Sequence, residues 1–130
     1  MLYVTQHLMR SEQLLALRSE IPLDDERCSL ELEHFQNVCL RPILKFQNDA
    51  LILYFKSQIN VFKIPKLKND LESFIRLQLQ KEITLRNALI GMVLGLMSEE
   101  ELAFYLLHKN ELSRRIVSML IQRLSTGIML

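Results

Sequence analysis

From Ala88 to Met97 the chain runs ten residues without a charge, and that run limits what the whole can fold into. It is about half the ~20 residues that a membrane-spanning helix requires. A helix apolar on every side yet too short for a bilayer belongs inside a core. Its small residues are ordered as well. Thr84, Ala88, Gly91 and Gly95 fall at i, i+4, i+7 and i+11 and share one face, while Leu85, Leu89, Met92 and Leu96 share another. The spacing predicts a buried central helix over about 84–97, with other helices packed around it.

Composition sets the class. A chain of 130 residues has the length of one domain. With 49% hydrophobic residues and only three glycines and three prolines, it lacks the turn-rich make-up of a sheet protein. The expectation is a single helical domain over 1–130: all-α, a bundle of five to six helices. A formal charge of +1 supplies no net field to attract nucleic acid, so any such role needs a local patch. Cys28 and Cys39 are too few for a disulfide scaffold, and on one helix they would lie about 16 Å apart. The first ten residues lack the basic start and apolar block of a signal peptide. A cytoplasmic protein is expected, with no membrane partner.

Taken in order, residues from about Val4 to Ser19 fit a first helix with a wide apolar face, stopped by Pro22. Asp24 and Asp25 offer caps to a second, on which Cys28, Leu32, Phe35 and Cys39 form a stripe. Pro42 kinks the chain or opens a third helix. Residues 43–55 read as helix followed by an extended stretch to Ile64. The alternative is a short β-hairpin near 51–64 across Lys56-Ser57-Gln58, a turn without the glycine that short hairpins prefer. Beyond Pro65, Leu71, Ile75, Leu79 and Ile83 step by four, with Leu67 and Phe74 alongside. Thr84 is placed to cap the central helix. Ser98-Glu99-Glu100-Glu101 has the form of a capping box, opening a short helix that buries Leu102, Tyr105 and Leu106. Asn110 and Glu111 start the last helix, with Leu112, Ile116, Met119 and Leu120 in one apolar row and Val117, Ile121 and Leu124 in another. Gly127 reads as its C-cap.

Catalytic and metal chemistry find little support. Glu31 and His34 have an i, i+3 spacing used in di-iron bundles, but no second such pair exists and both flank the apolar stripe. Two cysteines on a buried stripe are better read as small hydrophobes than as nucleophiles. Gly91 and Gly95 sit in an apolar helix and not in a phosphate loop. No catalytic, cofactor or metal site is expected.

Surface complementarity is what remains. The doubly apolar last helix, the tail Ile128-Met129-Leu130 and Phe104 beside Tyr105 exceed what a small bundle hides, which predicts an interaction surface. Its residues are Phe104, Arg114, Arg115, Val117, Ile121, Leu124, Ile128, Met129 and Leu130. The expected function is a non-catalytic helical interaction module, with a second copy or another protein as partner. The alternative is a helical nucleic-acid-binding regulator using Arg114, Arg115 and Arg123. Basic residues also gather at Lys63, Lys66, Lys68 and Arg76.

Overall fold

Leu51 and Phe55 stand one helical turn apart, and both are sealed from solvent. A computed structural model describes residues 10–17 and 31–129, and among them there is no strand. The elements are α1 (Arg10–Ala16), α2 (Glu31–Phe35), a π turn (Gln36–Leu40), α3 (Arg41–Gln58), a 3-10 turn (Val61–Lys63), α4 (Lys68–Lys81), α5 (Ile83–Leu94), α6 (Glu99–Leu107) and α7 (Lys109–Met129). No helix among these residues is long and apolar enough to cross a membrane. Of the helix expected over about 4–19, the described residues include only α1, and the caps at Asp24 and Asp25 and Cys28 lie outside the described residues.

α2, the π turn and α3 form one continuous rod, because Phe35 and Leu40 at the two junctions keep helical backbone. Pro42 explains the wide turn. In a regular helix its ring would collide with the carbonyl four residues back, and a wider turn relieves that clash. The rod ends at Ile59, whose backbone is extended (φ −118°, ψ 163°). Asn60 then organises a tight turn: its side-chain oxygen accepts from the Phe62 N–H at 3.1 Å, and its carbonyl accepts from the Lys63 N–H at 3.0 Å. The hairpin near 51–64 is therefore absent. Leu51 and Phe55 bury on a helical period, and nothing in Lys56-Ser57-Gln58 could reverse the chain.

α4 buries Leu71, Ile75 and Leu79. Ile83 falls off this stripe and is exposed, because the backbone leaves the helix at Glu82. α5 starts there, flanked by Glu82 with no side-chain cap, so Thr84 is not the cap.

α5 is helical, as the apolar run predicts, and gives the core Leu85, Leu89, Ile90 and Val93. It is not buried all round. Thr84, Asn87, Gly91 and Gly95 face solvent, and a side chain added at Gly91 would meet nothing within 4 Å. The reason is one of area: glycine has no apolar side chain to hide, so this face costs little to leave wet. The axis of the bundle is α7 instead, which packs against α3, α4, α5 and α6. It contributes Leu112, Ile116, Leu120, Ile121 and Leu124 to one continuous core with Phe55, Leu71, Leu89 and Tyr105.

α7 runs on through Gly127 to Met129, and no glycine takes a positive φ. Gly127 is there for space and not for a cap. A Cβ at that position would overlap the Ile52 side chain on α3, with Cγ1 at 3.1 Å. Ser125 is buried but satisfied, its hydroxyl donating to the Ile121 carbonyl at 2.6 Å. The capping box at α6 forms in full: Glu101 N–H donates to Ser98 Oγ at 3.2 Å, and Ser98 N–H donates to Glu101 Oε1 at 2.9 Å. Tyr105 is buried with its hydroxyl 2.7 Å from Ser113 Oγ. Leu106, by contrast, is exposed.

α1 buries no residue and is tied to the N-terminus of α6 by polar contacts. Arg10 pairs with Glu99 at 2.7 Å and donates to the Met97 carbonyl at 3.4 Å, while the Ser11 hydroxyl donates to the other Glu99 oxygen. The Ser11 hydrogen bond foremost, then the Glu99 backbone N–H and Arg10, hold the Glu99 carboxyl below its ordinary range. A depressed carboxylate contributes above its unfolded pKa of about 4.3 and stops contributing as pH falls through its lower folded value. Acidification through that window is expected to release α1 while the core persists, seen as selective loss of the 10–16 amide signals. Glu99→Gln should speed tryptic cleavage after Arg10 at neutral pH, and unchanged cleavage would contradict this attachment.

Candidate anion-binding face of the last helix

With its apolar rows turned to the core, α7 leaves Arg114, Ser118 and Gln122 outward and Arg115 and Arg123 half-buried at the margins. Ser118 is the ridge between two grooves, lining both.

The first groove, about 550 Å³, runs between the rod and α7. Gln36, Arg41 and Asn48 form one wall, and Arg115, Gln122 and Arg123 the other. The π turn puts Gln36 and Arg41 on the same wall. Residues five apart on an α-helix point about 140° away from each other. Here the Arg41 N–H donates to the Gln36 carbonyl, the i→i+5 bond that stacks the two residues. Such turns are common at functional sites.

Of the three arginines in this groove, only Arg115 meets a carboxylate among the described residues. Arg115 donates to Gln36 Oε1 at 3.0 Å and to Glu111 Oε1 at 3.4 Å. Arg41 and Arg123 have no carboxylate partner among the described residues. Burial, and then the Arg41 charge, push Arg123 below the usual arginine range, although a guanidinium stays a cation in any protein.

On the other side of Ser118 lies a hollow of about 360 Å³. Arg76 from α4, Arg86 from α5 and Arg114 from α7 line it, over Leu79, Val117 and Ile121. Arg76 is paired with Glu72 and Arg114 with Glu111, each at 3.6 Å. Lys109 and Arg86 continue the basic surface toward the start of α7.

The residues expected to form one interaction surface are dispersed. Arg115 belongs to the first groove, and Arg114 and Val117 to the second. Ile121 and Leu124 are 3% and 1% exposed and are spent on the core of a single chain. Ile128 is half-buried against that core. Phe104 stacks between Phe35 and His108, with ring centroids 4.7 Å away on each side. For Met129 only the backbone is described, and Leu130 lies outside the described residues. Glu31 and His34 are both exposed, Cys39 is buried, and no three potential metal ligands converge among the described residues.

Gln36, Arg41, Asn48 and Arg86 were not legible as site residues. One signal did point to two of them: Phe-Gln-Asn at 35–37 recurs at 46–48, eleven residues or about three turns later. Polar amides repeated at that interval beside the rod's buried stripe mark positions that need polar partners. The second Gln of the pair, Gln47, holds the rod to α5 by donating to the Met92 carbonyl at 3.1 Å. No known protein family, curated protein or solved structure matches the chain.

Proposed function

We propose that the chain is a non-catalytic helical module that binds nucleic acid through the arginine face of α7. One observation carries this: three arginines line each of two grooves that share Ser118, in a chain whose formal charge is only +1. Arginine is the side chain best suited to phosphate oxygens. From Arg114 to Arg123 the helix rises about 14 Å, over which one duplex strand presents about four phosphates. The apolar rows of α7 are turned inward, so it has no free recognition face to enter a groove. Binding is therefore expected through phosphates and with little sequence preference. The cytoplasm is the proposed setting, since two cysteines are far too few for a disulfide-held secreted scaffold.

Fluorescence anisotropy with a labelled duplex tests the assignment. Binding at 50 mM salt that is largely lost by 200 mM is the expected result, and no binding at either concentration would overturn it.

A second reading, self-association, is favoured by one feature. Phe46, Ala50 and Leu53 form an exposed row on α3 at i, i+4 and i+7, with Leu53 72% exposed. A symmetric dimer through α3 would cover that row. Light scattering should then show a dimer that Leu53→Glu dissociates, and a wild-type monomer at every concentration would remove this reading.

A further inference from the structure

We propose that the groove between the π turn and α7 is a discrete site for a single phosphate group, held jointly by Arg41, Arg115 and Arg123. This deepens the nucleic-acid reading and rests on it for one source of the ligand, the terminal phosphate of a strand. A small free phosphate ester shares the same chemistry.

The two grooves differ in ways that matter. In the second, Arg76 has Glu72, Arg114 shares Glu111 with Arg115 of the first groove, and the floor is apolar. That is a surface for a passing backbone phosphate. In the first, Arg41 and Arg123 repel each other, and no described carboxylate answers either charge. Repulsion between the exposed Arg41 and the half-buried Arg123 becomes attraction once a dianion lies between them.

Arg115 is already set. Its hydrogen bonds to Gln36 and Glu111 fix the guanidinium before any ligand arrives, so less side-chain freedom is lost on binding. Asn48 and Gln122 add neutral amides to the same walls, suited to phosphate oxygens that the arginines leave unbound. Gln36 acts on the ligand through Arg115 and is a positioning residue.

Inorganic phosphate, titrated calorimetrically against sodium chloride of matched ionic strength, is the probe. Saturable binding is expected, with Arg41→Gln and Arg123→Gln each weakening it about tenfold or more. Arg41 is exposed, so its replacement should leave the helical circular dichroism intact. Arg123→Lys keeps the charge but loses the planar fork, and it should weaken phosphate binding severalfold while leaving the salt dependence of duplex binding unchanged. Arg76→Gln should do the reverse.

A 5′-phosphorylated oligonucleotide binding about tenfold tighter than its unphosphorylated twin would assign the phosphate to a strand end. Equal affinities, with saturable phosphate binding retained, would assign the groove to a small ester. Phosphate behaving no differently from chloride, or Arg123→Lys binding it as well as wild type, would overturn the site. Intact phosphate binding without any duplex binding would overturn the nucleic-acid reading alone.

Discussion

Phe55→Ala is expected to lower the unfolding free energy by about 3–5 kcal/mol, a large part of the ~5–15 kcal/mol that holds a domain of this size. Phe55 is fully buried and is the largest of the sealed side chains. It sits on the rod where α3 meets the core that α7 builds. Truncation removes its transfer energy and leaves a cavity that helices pinned by Leu51, Leu112 and Ile116 cannot close. Phe62, seven residues on, is 99% exposed, and Phe62→Ala should change stability by less than about 0.5 kcal/mol. Urea midpoints measure both, with an unchanged slope showing that the folded state is the same. Similar costs at the two positions would contradict the helix-then-turn description of 51–64.

Replacing Arg41, Arg115 and Arg123 together by glutamine is expected to weaken duplex binding by about a hundredfold or more at low salt. Each replacement removes a charge-assisted hydrogen bond of about 1.5 kcal/mol or more. The salt dependence should flatten too, by about 0.9 in log–log slope for each phosphate no longer engaged. Arg76→Gln with Arg86→Gln should act in the same direction from the other side of Ser118. A modest loss of stability, about 1–3 kcal/mol, is expected from Arg115, which gives up its bonds to Gln36 and Glu111, while Arg41 is exposed and Arg123 holds no described ion pair. A triple variant that binds as tightly as wild type would show that the first groove is not used. Anisotropy over a range of salt concentrations makes both comparisons in one experiment.

How far the residues alone foretold this arrangement depends on how local each determinant is. The capping box at Ser98 and Glu101 was legible because both partners lie within one turn. The stripes Leu71–Ile75–Leu79 and Leu112–Ile116–Leu120 were legible because burial repeats with the helical period. The hairpin alternative arose because apolar β-branched residues suit strand and buried helix equally. What periodicity cannot give is which apolar face meets which partner. α5 looked central because its residues are uncharged, yet its glycines can face water at little cost. α7 looked over-supplied with apolar surface, yet packing against four helices uses both rows. The first groove was illegible for a related reason. Arg41 and Arg123 are separated by most of the chain, and only the π turn at Pro42 brings Gln36 and Arg41 onto one wall.

If α7 presents a built polyanion-binding surface on a nearly neutral chain, salt must compete with the ligand for it. The slope of log binding constant against log salt for the wild-type protein and a duplex tests this most directly. With the first groove's three arginines sharing one phosphate and Arg76, Arg86 and Arg114 engaging one each, the slope should be about −3.6, losing about 0.9 when the three of the first groove are replaced. A slope near zero, or one untouched by those replacements, would contradict it.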